Sequence, residues 1–312
     1  MSVMEQSIVF FGAGPVAAQS LQLLAKNFII EAVVTKQKPQ GHRGDFPTLV
    51  KAKELGLTVH TPANKKELSA LFASKPFSST IGVVIDYGII IAQDVIDYFP
   101  FGIINSHFSL LPQWRGADPI TFSILSGQKT TGVSLMLITA GLDEGDLLSQ
   151  TPVTIAQGAT TDSLTTDLIE ASDGALYVVL PLWLKGETNA RPQEVVTMAP
   201  SKTPTYSRKL TKLDGLIDWT KSAVQIEREI RAYTGWPKSY TTLGGIDVVI
   251  TKAHVFPSED PTKNPGAILV IKEARTLAVQ TGNGTLFIEK LKPAGKAQMD
   301  AASFINGYGK NL

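Results

Sequence analysis

The sequence predicts an α/β protein: a doubly wound, mostly parallel sheet over residues 1–187, then a small β-barrel of the oligonucleotide-binding kind over 208–312. Two observations carry this. From Ser7 to about Leu184, short apolar runs alternate with amphipathic stretches, the order that builds a parallel sheet covered on both faces. From Tyr240 the pattern changes to β-prone runs broken by Gly and Pro (SYTTL, IDVVITKAHVF, GAILVI, TLAVQT, GTLFIEKLKP), a spacing that suits a closed or half-closed barrel. Residues 188–207 between them are polar, hold Pro192, Pro200 and Pro204, and read as a semi-extended linker. A chain of 312 residues is in any case long for one core.

Ser7–Phe11 reads as the first strand, GAGP at 12–15 as a tight turn, and the stretch to about Ala25 as a helix. The turn GAGPVA has two glycines where the dinucleotide fingerprint has three, which argues against NAD. Ile29–Val34 is a second strand. Thr35–Thr48, TKQKPQGHRGDFPT, is polar and without apolar periodicity; a loop of that length in a compact domain is usually functional or disordered. Helices are expected over 49–56 and 66–74, brief strands over 58–60 and 81–85, and a loop and helix within DYGIIIAQDVIDYF. Strands over 101–104 and 132–138 flank a helix at 119–126. A short strand at 153–155 and a long helix at 161–184 close the series. A further helix is expected over 221–233, ended by GWP.

With 43% hydrophobic and 18% charged residues, the chain has the composition of an ordinary globular protein. No apolar run approaches the roughly 18–20 residues that span a bilayer. MSVMEQSIVFFGAG lacks a basic leader and reads as a first strand, so a cytoplasmic location is expected. The absence of cysteine excludes disulfides, thiolate metal sites and thiol nucleophiles. His42, His60, His107 and His254 show no metal-ligand spacing, and no metal is expected. Residues 1–207 carry 14 Lys and Arg against 18 Asp and Glu, and residues 208–312 carry 15 against 10. That balance suits a C-terminal domain touching phosphates, or is ordinary fluctuation.

The informative stretch is GIINSHFSLLPQWRGADP at 102–119, with AGLDEGD at 140–146. Asn105 and His107 are two apart at the end of an apolar run, so on a strand they share a face just where it gives way to a loop. Asp143 follows a second apolar run, as though on the loop of a neighbouring strand. A carboxamide, an imidazole and a carboxylate at adjacent strand ends suit proton handling beside an oxyanion donor. Taken alone, a strand-end histidine is more often structural, and an Asp in a Gly-rich segment is by default a turn residue.

The whole string NSHFSLLPQWRGADP…TGVSLMLITAGLDEGD resembles the signature of the 10-formyltetrahydrofolate-dependent formyltransferases and hydrolases: Asn-x-His, SLLPxxRG, then a distal Asp in a Gly-flanked loop. IVFFGAGPVAAQSL, VVIDYGIII, TYSRKLTKLDGLIDW, EREIRAYTGWP and LKPAGKAQMDAASFINGY extend the likeness over nearly the whole chain, to the branch whose acceptor is initiator methionyl-tRNA. The resemblance implies a Rossmann-like formyltransferase domain with catalytic Asn105, His107 and Asp143, and 10-formyltetrahydrofolate as formyl donor. It places Ser109, Leu110, Leu111, Pro112, Tyr87 and Gly88 at the folate. It also implies a monomer that holds tRNA with its C-terminal domain, and tRNA contacts at Arg43, Arg115 and Lys209. Arg115 reads equally as a loop-ordering residue, Trp114 as packing, and Lys209, Lys212, Arg231, Lys252, Lys290 and Lys292 as a phosphate-tracking set or a solvated face. The chain departs from the family at GHRGDF, where the basic cluster is thin, and at Asp118, where alanine is usual. Relatives that formylate an amino-sugar nucleotide or pass the group to water share the core motif; TYSRKLTKLDGLIDW and LKPAGK favour the tRNA branch. An inactive nucleic-acid-binding module would not need an intact Asn105, His107 and Asp143.

Overall fold

In the computed structural model, which describes residues 6–38, 46–256, 264–271, 275–310 and 312, the first strand β1 (Ser7–Phe11) runs into α1 (Pro15–Asn27) through the turn GAG. Gly14 caps α1 and Pro15 opens it, with a preset φ and no N–H to leave unsatisfied. Ala17, Leu21 and Leu24 recur at helical spacing and are buried. The glycines answer to close packing. A Cβ on Gly12 would lie 2.9 Å from the Ile85 carbonyl oxygen, and one on Gly14 would lie 2.1 Å from Asp86 Oδ2. They let the turn meet the neighbouring strand end, and no dinucleotide is needed to explain them.

Along the chain follow β2 (Ile29–Val34), α2 (Pro47–Glu54), β3 (Val59–His60), α3 (Lys65–Ala73), β4 (Gly82–Val84), α4 (Gln93–Ile96), β5 (Ile103–His107), β6 (Arg115–Gly116), α5 (Pro119–Ser126), β7 (Thr130–Leu137), β8 (Leu147–Thr154), α6 (Thr161–Leu184), α7 (Gln193–Val196) and β9 (Tyr206–Ser207). Seven strands form one sheet in the order β3-β2-β1-β4-β5-β7-β8. The five from β3 to β5 are parallel. β7 and β8 run antiparallel to their neighbours. The strand order reverses between β1 and β4, the kind of switch point beside which open α/β sheets bind ligands. On one face Phe11, Phe72, Tyr87 and Phe99 form an aromatic cluster with Val9, Leu68 and Ile103.

The short strand expected at 153–155 is an eight-residue edge strand. Its polar LLSQTPVT alternates between faces and tolerates Pro152 because one edge is unpaired, so no continuous apolar run announces it. The segment 188–207, expected as a linker, contains α7 and β9, and β9 pairs in parallel with β6.

The chain forms two compact units. One takes in residues up to Pro119, Thr130–Thr154 and Thr165–Arg208; the other takes in Ile120–Lys129, Ile155–Leu164 and Lys209–Leu312. The second unit carries α8 (Ala223–Ala232), β10 (Ser239–Leu243), β11 (Ile246–Phe256), β12 (Ile268–Ile271), β13 (Thr276–Gln280), β14 (Thr285–Pro293), β15 (Met299–Asp300) and α9 (Ala301–Tyr308). Its strands form an antiparallel sheet in the order β10-β11-β14-β13-β12, with β15 added to β14. Among the described residues β10 and β12 are the open ends of this path. Ile226 and Ile230 of α8 and Phe304 of α9 pack with Leu243, Val248, Leu277, Leu286 and Leu291 in its core. Both helices are capped by side chains, Ser222 accepting from Gln225 N–H and Asp300 from Ser303 N–H. The strand pattern alone gave no sign of α9. No helix among the described residues is long and apolar enough to cross a membrane.

Candidate active site

β5 lies in mid-sheet, paired in parallel with β4 (Val84 opposite Asn105) and antiparallel with β7 (Asn105 opposite Met136, His107 opposite Ser134). All five of its residues are buried. Two-residue spacing brings Asn105 and His107 to one carboxylate. Asn105 Nδ2 donates to Asp143 Oδ1 at 3.4 Å, and His107 Nδ1 lies 3.7 Å from Asp143 Oδ2. His107 Nε2 is 2.9 Å from the Trp114 carbonyl oxygen. A carbonyl only accepts, so Nε2 carries the hydrogen and Nδ1 is the ring nitrogen that faces Asp143. The Asn105 and His107 contacts to Asp143 are long enough to tighten or reorganise around a reacting group.

Asp143 is set by its loop. It has φ +50°, a left-handed conformation that Asp adopts more readily than most residues. Oδ2 accepts the Gly116 N–H at 2.7 Å. The buried Gln193 donates from Nε2 to the carbonyls of Asp143 and Gly145, both at 2.9 Å, and its Oε1 accepts from Arg115 Nη2 at 2.8 Å. Arg115 Nη1 bonds Glu144 at 3.1 Å. Arg115, expected either at the tRNA or ordering a loop, is therefore mostly buried and tied to the Asp143 loop on two sides. Neither Gln193 nor Glu144 was expected from the sequence.

Gly116 joins two strands of this support. Its φ is +111°, and a Cβ there would lie 2.3 Å from the Ser207 carbonyl oxygen. Gly116→Ala is expected to destabilise the protein by about 2–4 kcal/mol through backbone strain and overlap. It should also loosen the N–H that holds Asp143. Thermal melting beside single-turnover activity checks this; an unchanged melting temperature would contradict it.

SLLP is scaffold. Ser109, Leu110, Leu111 and Pro112 are all buried. Ser134 Oγ donates to the Ser109 carbonyl at 2.6 Å and accepts from Leu111 N–H at 2.9 Å. Gln150 and Thr197 donate to the Leu111 carbonyl, at 2.9 and 2.6 Å, and Thr205 N–H donates to that of Pro112. Ser109 Oγ donates to the Gln113 carbonyl. With these groups engaged, the four residues, expected at the folate, also shape the loop from within. Tyr87 likewise stands in the aromatic core, 3% exposed, with its ring 5.6 Å from that of Phe11; its hydroxyl has no hydrogen-bond partner, and burial raises its pKa. Gly88 has φ +51°, and a Cβ on it would crowd Lys36 Nζ at 2.6 Å. Lys209 is exposed. Arg43 lies outside the described residues, as does most of the loop Lys36–Phe46. No cluster of His, Asp and Glu that could hold a metal occurs among the described residues.

Burial pushes the Asp86 carboxyl up to about 6, Lys36 opposing the shift and Asp118 adding to it. Its folded-state value thus lies above the ordinary 3.8. The stability it contributes is full below about pH 4 and is lost as pH rises through about 6. Asp86→Asn, which has no proton to lose, should therefore match the parent near pH 4 and be the more stable protein at pH 7.5, by less than the full shift implies because the residue is exposed and solvent screens its charge. Melting curves at the two pH values test this; an equal difference at both would sink it.

Residues 7–180 match the family model "Formyl transferase", and residues 209–309 match "Formyl transferase, C-terminal domain". A methionyl-tRNA formyltransferase of Roseiflexus castenholzii is 34% identical over 310 residues, covering 97% of this chain and 96% of that one. An N-formyltransferase from Helicobacter canadensis, solved with folinic acid and dTDP-3-aminofucose, has a TM-score of 0.64 at 16% identity and covers 91% of this chain and 98% of that one. HypX from Aquifex aeolicus, solved with tetrahydrofolic acid, has a TM-score of 0.64 at 14% identity; the match covers 100% of this chain and 48% of that chain, so this chain spans about half its length. The two solved structures speak to the fold, a mixed sheet with helices followed by an antiparallel domain. The signature around Asn105, His107 and Asp143, the two matched domains and the near full-length likeness agree: the chain belongs to the formyl transferase family, alongside methionyl-tRNA formyltransferases such as that of R. castenholzii.

Proposed function

We propose that the chain moves a formyl group from 10-formyltetrahydrofolate to the amino group of methionine on initiator methionyl-tRNA, by direct attack of the amine. The observation that carries the mechanism is the convergence of Asn105 and His107 on Asp143 at adjacent strand ends. As the amine adds to the formyl carbon, negative charge grows on the formyl oxygen. Asn105 Nδ2 donates to it, as does Nδ1 of His107 when the ring carries a hydrogen there too, and each such donor commonly lowers a barrier by about 3–4 kcal/mol. Asp143 takes up the proton of the amine, directly or through water. The adduct collapses as the bond from the formyl carbon to the folate nitrogen breaks, and that nitrogen leaves as tetrahydrofolate with the proton Asp143 had taken. The Gly116 N–H and Gln193 keep the carboxylate in position.

A covalent enzyme intermediate has no support here. The chain has no cysteine. The nearby serine hydroxyls of Ser106, Ser109 and Ser134 are occupied by Ser172, the Gln113 carbonyl and the Ser109 carbonyl. For the folate, the site offers donors with an acceptor, plus apolar surface: Leu142 beside Asp143 and Ile90 on the loop after β4 are 63% and 76% exposed. That mix suits a flat heteroaromatic co-substrate. The basic balance of residues 208–312 supports the tRNA contact, and the reading carries with it a cytoplasmic enzyme acting as a monomer in translation initiation.

The test is to incubate the protein with 10-formyltetrahydrofolate and charged initiator methionyl-tRNA and to look for formylmethionine. Formate released with no formylated amine would point to hydrolysis. Formylation of an amino-sugar nucleotide, with methionyl-tRNA untouched, would point to the sugar branch.

A further inference from the structure

The C-terminal unit holds a concavity of about 600 Å³, bounded by the end of α8, the loop into β10, the middle of β11 and the turn after β14. Its size is that of a small-molecule site. Tyr233, Lys238, Ser239, Thr251, Lys292 and Pro293 are among its lining residues. It has two lysines and no acid in its walls.

Three features mark it as more than a dent. Thr234, Ser239 and Thr251 all line it, and among the described residues the side-chain oxygen of each is buried without a hydrogen-bond partner; Ser239 is only 2% exposed. Buried hydroxyls are ordinarily satisfied, so three unpaired ones around one cavity are unspent hydrogen-bonding capacity. Thr251 sits where the pairing of β11 with β14 slips register between Ile250 and Lys252, and such bulges re-aim side chains beside sites. Lys238 is held in the left-handed region at φ +72°. Its N–H bonds the Tyr233 carbonyl at 3.0 Å, and its own carbonyl oxygen lies 2.0 Å from where a Cβ on Gly215 would stand. Backbone strain maintained by its surroundings in this way gathers at ligand clamps. Lys238 and Lys292 are exposed and make no ion pair among the described residues.

We propose that this concavity binds one phosphorylated nucleoside. Lys238 and Lys292 take the phosphate, the three hydroxyls, closed to solvent as they stand, turn into the cavity to take sugar and base-edge groups, and Tyr233, Ile230 and Pro293 form the apolar wall against the base. Cations alone would suit any anion; the hydroxyls and the apolar wall select one that carries a polar sugar and a flat ring. A free mononucleotide and one nucleotide of an RNA strand offer the same chemistry. None of Asn105, His107 and Asp143 takes part.

Adenosine 5′-monophosphate is titrated calorimetrically into the full chain at low salt, with inorganic phosphate as the comparison. Lys292→Ala and Thr251→Val are titrated alongside; the valine keeps the branched shape of the bulge residue and removes only its hydroxyl. Melting curves verify that both variants are folded, and KM and kcat for methionyl-tRNA are measured for all three proteins. The expected result is millimolar or tighter binding of the nucleotide, weakened about fivefold or more by each change, with phosphate alone about tenfold weaker. Absence of nucleotide binding, together with a KM raised about threefold or more in both variants at unchanged kcat, assigns the pocket to a nucleotide within RNA. The proposal is overturned if the nucleotide fails to bind and KM stays unchanged, if binding ignores both substitutions, or if phosphate binds as well as the nucleotide. Transfer by the parent protein, measured in the same series, reports separately on the formyltransferase reading.

Discussion

Replacing His107 with alanine is expected to lower the single-turnover rate of formyl transfer by about 10²–10³-fold, the loss of one positioned donor at the reacting oxygen. The change also has a structural side. The ring is only 6% exposed and Nε2 bonds the Trp114 carbonyl, on a residue whose φ is +57°. Removing the ring leaves a small void and an unpaired carbonyl, about 1–3 kcal/mol, which in a chain of this size lowers melting by a few degrees. Rate and melting must therefore be measured together. A folded alanine variant with near-parental transfer would remove His107 from the chemistry.

Asp143→Asn separates charge from shape. The two side chains are nearly isosteric, and asparagine adopts the φ of +50° found here as readily as aspartate. The loop should therefore keep its place and the melting temperature should barely move. Without the carboxylate the amine loses its proton acceptor, so kcat should fall by about 10²–10⁴-fold. The folate KM should change by less than about threefold, because the carboxylate acts on proton movement and not on binding. Parental rates across the pH range would refute the role.

Asn105 and His107 were legible because a strand has period two: spacing alone puts both side chains on one face, and the apolar run before them gives the strand. The bounds of β1, β2, α5 and α6 could be read for the same kind of reason, since each begins or ends at a Gly, a Pro or a sharp change of polarity. Gln193 could not be read. It is a single glutamine in a polar, proline-bearing stretch, and its importance comes from reaching carbonyls 48 and 50 residues away in sequence. No local period encodes such a bond. The SLLP segment was legible as a motif, but the bonds that hold it were not, because its partners Ser134, Gln150 and Thr197 lie far along the chain. Its leucines are buried and the Leu111 carbonyl is engaged by both Gln150 and Thr197. β8 was read as the short strand 153–155 and not at its full length because an edge strand half open to solvent has no apolar run. For α9 a signal existed: Asp300 before AASFIN is an ordinary helix cap, and the strand pattern around it drew attention away.

The grip of Gln193 on the Asp143 loop has a temporal side. A ribosome delivers the chain from its N-terminus at about 5–20 residues per second, and domains fold as their segments emerge. Asn105, His107 and Asp143 leave the exit tunnel together with most of the sheet. The residues that fasten the loop and its neighbours follow: Gln193, Thr197, then Thr205 and Ser207. A nascent chain stopped near residue 187 would thus hold Asn105, His107, Asp143 and the Gly116 N–H that bonds the carboxylate, and still lack the glutamine that ties down its loop. The loop is fully fastened only when the last of these bonds has formed.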